Sequence, residues 1–184
     1  MEDACEGKRA SKLIKYASIS FILLVLSGCN NYYSTQNIYI KNGLIYKQGE
    51  LNPFTGRVLD TLENKIVEYD VVGGLKNGEF CVSDLNGIFT VSGAIENNQN
   101  VGTWSYFYES GQLESRGNFR NDLPHGKWQW FYKDGTLKSE GYYINGNQEG
   151  EWKSFSERGL LNSITRFARG EVTNKFIVNK IQSI

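Results

Sequence analysis

The chain repeats itself every 24 residues, and that period restricts its fold more than any other feature. Gly78, Gly102, Gly126 and Gly150 are spaced by 24. Gly87, Gly111, Gly135 and Gly159 follow nine residues later, and Gly93, Gly117 and Gly141 a further six on, with Thr165 in the last place of that series. These columns hold four, four and three of the chain's 20 glycines. Two positions after the first glycine of each copy stands a large aromatic residue: Phe80, Trp104, Trp128 and Trp152. Apolar residues fill two later columns, first Phe89, Leu113, Leu137 and Leu161, then Ile95, Phe119, Tyr143 and Phe167. A period of this length marks a supersecondary unit that cannot bury its apolar face alone and stacks on its neighbours.

Each unit reads as a β-hairpin. In the third copy, Lys127-Trp128-Gln129-Trp130-Phe131-Tyr132 has the aromatic content of a strand. Lys133-Asp134-Gly135 is a turn by its Asp-Gly pair, with equivalents at Leu85-Asn86-Gly87, Glu109-Ser110-Gly111 and Glu157-Arg158-Gly159. A second strand follows over about 136–143, and 144–149 reads as the segment returning to the next copy. Alternation puts Trp128, Trp130 and Tyr132 on one face. The column Ser83, Phe107, Phe131, Phe155 falls on the other and points to a bulge or to aromatic contacts on each side of a thin sheet. The expected fold is all-β: an elongated antiparallel meander of stacked hairpins forming a single-layer sheet.

Four full copies span 78–173. Upstream, 42–77 reads as worn lead-in copies, with Gly56-Arg57-Val58-Leu59, a turn at Glu63-Asn64 and a strand at Ile66-Val67-Glu68-Tyr69. Downstream, 174–184 reads as a closing strand around Lys175-Phe176-Ile177-Val178. Departures at the ends are expected, because an array must cap its open edges.

The motif Gly-x-Trp-x-x-Phe-Tyr-x-x-Gly-x-Leu-x-x-x-Gly-x-Phe, closing on Asn-x-x-x-His-Gly at 121–126, resembles the variant MORN repeat. With its Pro53-Phe54-Thr55-Gly56 lead-in, the array is similar to the bacterial YwqK-type antitoxin family over about residues 43–170. The resemblance implies an antiparallel meander of hairpins and a toxin-neutralising role.

The first 28 residues read as a lipoprotein signal peptide. Lys8, Arg9, Lys12 and Lys15 form a basic start, and 16–26 is an apolar run broken only by Ser18 and Ser20. That run suits a signal peptide, whereas a membrane-crossing helix needs about 20 residues. Leu26-Ser27-Gly28-Cys29 resembles the bacterial lipobox, which implies acylation of Cys29 (palmitate-type chains), and two or more chains anchor a protein stably. The expected location is the cell envelope, at the outer membrane where the cell has one; a cytoplasmic location is the alternative. Residues 29–41, with the polar stretch 30–37, read as a lipidated start and tether. Of the three cysteines, Cys5 leaves with the leader and Cys29 is acylated, so Cys81 reads as an unbridged strand residue.

Twenty basic and twenty acidic residues leave no net charge, which argues against nucleic-acid binding. The one histidine, His125, is placed in the loop between copies, where Val101, Glu149 and Thr173 at matching positions form no ligand set. No nucleophile elbow, zinc helix or phosphate loop occurs. Glu109, Asp134, Glu114 and Glu140 read as solvated acids. The expectation is therefore no catalysis, metal, cofactor or small-molecule substrate. Gly78, Gly87, Gly102, Gly111, Gly126, Gly135, Gly150 and Gly159, with Trp104, Trp128 and Trp152, read as structural, the glycines through backbone conformation. Tyr106 and Trp130 share a column with Val82 and Ser154, so the repeat does not demand an aromatic there. They are the candidate contacts for a protein partner, a toxin being one such partner. The functional expectation is a membrane-anchored, protein-binding scaffold, with an antitoxin or immunity lipoprotein as the alternative.

Overall fold

The computed structural model describes residues 32–178. The signal peptide, Cys29 and the last residues of the closing segment lie outside these. The described chain consists of strands and one 3-10 turn at Thr35–Asn37. The strands are β1 (Tyr32–Tyr33), β2 (Ile38–Lys41), β3 (Leu44–Lys47), β4 (Gly56–Leu62), β5 (Lys65–Val72), β6 (Leu75–Asp84) and β7 (Phe89–Glu96). They continue with β8 (Gln99–Phe107), β9 (Leu113–Arg120), β10 (Leu123–Phe131), β11 (Leu137–Ile144), β12 (Asn147–Phe155), β13 (Leu161–Ala168) and β14 (Glu171–Ile177). Among the described residues two compact units emerge, one of 32–87 with 92–98, the other of 88–91 with 99–178.

In the first unit the order β1-β4-β5-β6 is antiparallel except for β1, which runs parallel to β4 and pairs Tyr32 with Arg57. A separate two-stranded sheet pairs β2 with β3. The stretch read as a tether thus carries β1, the 3-10 turn and β2. Ile45, Phe54, Val58, Tyr69 and Val71 form this unit's core, with Val58 and Val71 fully enclosed. The Pro53-Phe54-Thr55-Gly56 lead-in is the plug. Phe54 is buried, its N–H donates to the Ile45 carbonyl, and its own carbonyl accepts from Gly74 N–H, both at 2.8 Å. Thr55 Oγ1 accepts from Gly73 N–H at 2.9 Å, which ties the lead-in to the β5–β6 turn. Cys81, buried in β6, is disulfide-bonded, which corrects its reading as an unbridged strand residue.

The second unit is an antiparallel meander in chain order from β8 to β14, as the 24-residue period leads one to expect. β8–β9, β10–β11 and β12–β13 are the hairpins of successive copies. Register shifts at Tyr106/Phe107, Trp130/Phe131 and Ser154/Phe155 are the bulge expected at that column. Within the hairpins the glycine supplies the turn's positive φ, +87° at Gly135, while Asp134 is not left-handed.

Between copies the chain turns more tightly than expected. Asn121-Asp122, Asn145-Gly146 and Arg169-Gly170 each have two successive positive φ values, the signature of two-residue type I′ turns. Residues 144–149 are therefore not a return loop: β11 runs to Ile144 and β12 starts at Asn147. His125 likewise lies inside β10, opposite Asn118, and Gly126 (φ +80°) sits in a bulge of that strand rather than in a loop. Tyr132 falls just past the end of β10, and its hydroxyl donates to the Phe155 carbonyl at 2.8 Å. Tyr108 does the same to Phe131 at 2.7 Å, a rung that links each copy to the next.

Candidate binding surface

Directly opposed residues of an antiparallel pair share a face, so the register sorts the second unit into two chemistries. Trp104 and Trp128 oppose Gly117, Trp128 also opposes Gly141, Trp152 opposes Thr165, and Ser139 opposes Ser154. From β8 to β13 this face carries aromatic, glycine and hydroxyl residues with Pro124 and Gln148 and no charge, and Lys175 of β14 joins it opposite Thr165. The other face carries Arg116, Lys127, Glu140, Glu151, Lys153 and Arg166. There Lys127 pairs with Glu140 and Arg166 with Glu151, both at 2.8 Å. Exposed pairs of this kind are worth about 0–1 kcal/mol each.

The rings form one continuous ladder. Trp104, Tyr106, Trp128, Trp130 and Trp152 follow one another at centroid distances of 6.5, 6.4, 5.7 and 5.4 Å. Phe119 stands edge-on to Trp104 and Trp128, and Tyr143 edge-on to Trp128 and Trp152. Each such pair adds about 0.5–1.5 kcal/mol beyond area burial. Phe167 touches Trp152 alone among these indoles, at 5.8 Å.

What makes the ladder possible is the third glycine column. Trp128 lies over Gly117 and Trp152 over Gly141, where a Cβ would collide with the indole ring. Each Nε1 then donates to the next carbonyl of the strand beneath, Asn118 for Trp128 at 3.1 Å and Tyr142 for Trp152 at 3.2 Å. These two glycines are therefore needed for ring clearance and not for backbone conformation.

The two candidate contacts lie inside this ladder. Tyr106 is wedged between Trp104 and Trp128, and Trp130 between Trp128 and Trp152, each half-buried. Burial raises the Tyr106 and Tyr143 hydroxyl pKa values above the ordinary tyrosine range. Trp104 and Trp128 are buried, but Trp152 is only half so. Beyond it the ring column is empty, and Ser154 meets Ser163 in a hydroxyl pair at 2.8 Å.

Two other places hold chemistry. In the first unit the Arg57 guanidinium reaches Asp70 at 3.0 Å and Glu79 at 2.9 Å. Burial opposes its charge, but the Glu79 hydrogen bond and the surrounding carboxylates outweigh that and raise its pKa. Nothing in the sequence singled Arg57 out, since its partners come from two other strands. At the far side of the second unit, β14 is exposed along its whole length, with apolar Val172, Phe176 and Ile177 among its residues. Among the described residues no group of three His, Cys, Asp or Glu could hold a metal ion, and no helix is long and apolar enough to cross a membrane. Cys29 lies outside the described residues.

The model of the MORN repeat variant matches residues 100–121 and 124–145. Those limits fall at the type I′ turns, so each match is one hairpin. No curated protein matches. Among solved structures, the crystal structure of TarM matches at 13% identity and a TM-score of 0.37, covering 63% of this chain and 21% of that one. The chain thus spans about a fifth of that structure's length. Over the two consecutive repeats that carry Trp104, Tyr106, Trp128 and Trp130, the chain is similar to the MORN repeat variant.

Proposed function

We propose that this is a non-catalytic binding scaffold, tethered to the cell envelope by acyl chains on Cys29. The observation that carries the reading is strand β14, the last of the sheet order among the described residues, whose seven residues are all exposed. An unpaired edge offers main-chain donors and acceptors to an added strand, the commonest way a sheet captures an extended protein segment. MORN-variant repeats support a binding role rather than a catalytic one.

Complementation tests this. Deleting the gene should weaken the envelope, and wild type should restore it. Cys29→Ser should not, and should lose acyl label and leave the detergent phase. Val172→Pro, which removes an edge N–H at the position that Pro124 holds in β10, should keep the label yet fail to restore the envelope. Full complementation by both variants would overturn the reading.

The second reading, an antitoxin or immunity lipoprotein, draws on the resemblance to the YwqK-type family. Its mark is different: deletion alone would poison the cell, and removing a neighbouring toxin gene would relieve it.

A further inference from the structure

We propose that the aromatic face of β8–β13 binds an extended, neutral polysaccharide laid across its strands, centred on Trp152. The inference rests on the reading of the array as a binding module and supplies the ligand of a surface distinct from the β14 edge.

Charge gives the first argument. From β8 to β13 this face offers no cation or anion, while the opposite face of the same strands carries both signs. A phosphate backbone, an acidic peptide or an anionic lipid surface would find one lysine, Lys175 of β14 opposite Thr165, and otherwise no counter-charge, and desolvating its charges unpaired is costly. An uncharged ligand meets no such penalty.

Ring chemistry gives the second. A pyranose sugar has apolar C–H faces and a rim of hydroxyls, which matches aromatic rings bordered by small hydroxyl side chains. Trp130 and Trp152 are the half-buried indoles of the ladder, and Trp152 is flanked by Trp130, Tyr143 and Phe167. Beside it the Ser154–Ser163 pair occupies the place where the earlier copies carry a ring. There the face passes from rings to hydroxyls.

The third argument is translation. Equivalent side chains recur every two strands, about 9.5 Å apart, so the face is itself a repeating surface. A polymer with an extended disaccharide repeat can engage several copies in register, whereas a globular ligand gains nothing from the period.

The test uses the purified full chain, following tryptophan fluorescence and titration heat with cellohexaose and chitohexaose. Heparin and vesicles containing anionic lipid are the comparisons. A saturable response to either hexasaccharide is expected, at least about ten-fold weaker for the disaccharide because fewer copies are engaged. Trp152→Ala should abolish it. Ser154→Glu, which deletes no ring but charges the face, should weaken it by at least about ten-fold with an unchanged circular dichroism spectrum. No response to any neutral oligosaccharide would overturn the inference, as would equal binding of di- and hexasaccharide, an undiminished response in folded Ser154→Glu, or binding of heparin or vesicles alone. Loss of acylation in the cell would sink the anchor reading and leave this binding untouched.

Discussion

The indole of Trp152 lies over the Cα of Gly141 and donates its Nε1 proton to the Tyr142 carbonyl 3.2 Å away. The ring has a seat only because position 141 has no side chain, and Trp128 and Gly117 repeat the arrangement one copy earlier.

Gly141→Ala should therefore destabilise the second unit by about 1–3 kcal/mol through overpacking, although the backbone there is ordinary. Thr165→Gly, at the matching position of the next copy, should bring no gain, because the β14 residue opposite it is Lys175 and not an indole. Urea unfolding followed by tryptophan emission checks both. A harmless Gly141→Ala would mean that the ring can shift aside.

Tyr106 and Trp130 each touch two indoles, so replacing both by serine opens the ladder twice. A combined loss of at least about 2–3 kcal/mol is expected, below the full cost of buried aromatics because both are half-exposed. An unaltered melting curve would instead mark them as rings held for a partner.

Arg169 stands at φ +53° in the last type I′ turn, where the matching residues are Asn121 and Asn145. Arg169→Asn should raise stability by a few tenths to about 1 kcal/mol, since asparagine tolerates the left-handed region better. Its backbone N–H can still donate to Glu149 Oε2, now at 2.8 Å. A fall in melting temperature would show that the arginine side chain contributes a contact of its own.

The Glu140 carboxyl is held below its ordinary value of 4.5, first by the Lys127 hydrogen bond, against the opposing effect of burial, with Gln129 assisting. Its folded pKa is lower than its unfolded one. The stability it adds is thus fully present above pH 4.5 and is lost as the pH falls below that, through the lowered value. Glu140→Gln should flatten the acid side of the stability profile and leave its slope near neutrality unchanged. An identical acid slope in both proteins would remove Glu140 from the account.

The hairpin order was legible because each copy restates the same local constraints, so the columns of glycine and aromatic residues average out local noise. What a glycine is for was not legible. Gly126 and Gly117 look alike in sequence, yet one bends a strand at φ +80° and the other clears space for a ring on a neighbouring strand. The turns between copies were misplaced for the same reason. Residues 144–149 read as a return segment, but β12 starts at Asn147, and the chain reverses at Asn145-Gly146, a strong hairpin pair in its own right. The Arg57 cluster left no trace, because its carboxylates lie 13 and 22 residues along the chain in a copy whose pattern is worn.

Thr165 gives the array a length. An indole can settle only on a bare Cα, so the first copy that carries a Cβ in that slot cannot seat a tryptophan from the following strand. Duplication of an internal 24-residue block would bring its own seat and its own ring, and would add two strands while leaving the terminating residue in place. Size in such a protein can drift by whole hairpins through recombination, with one threonine still marking where it stops.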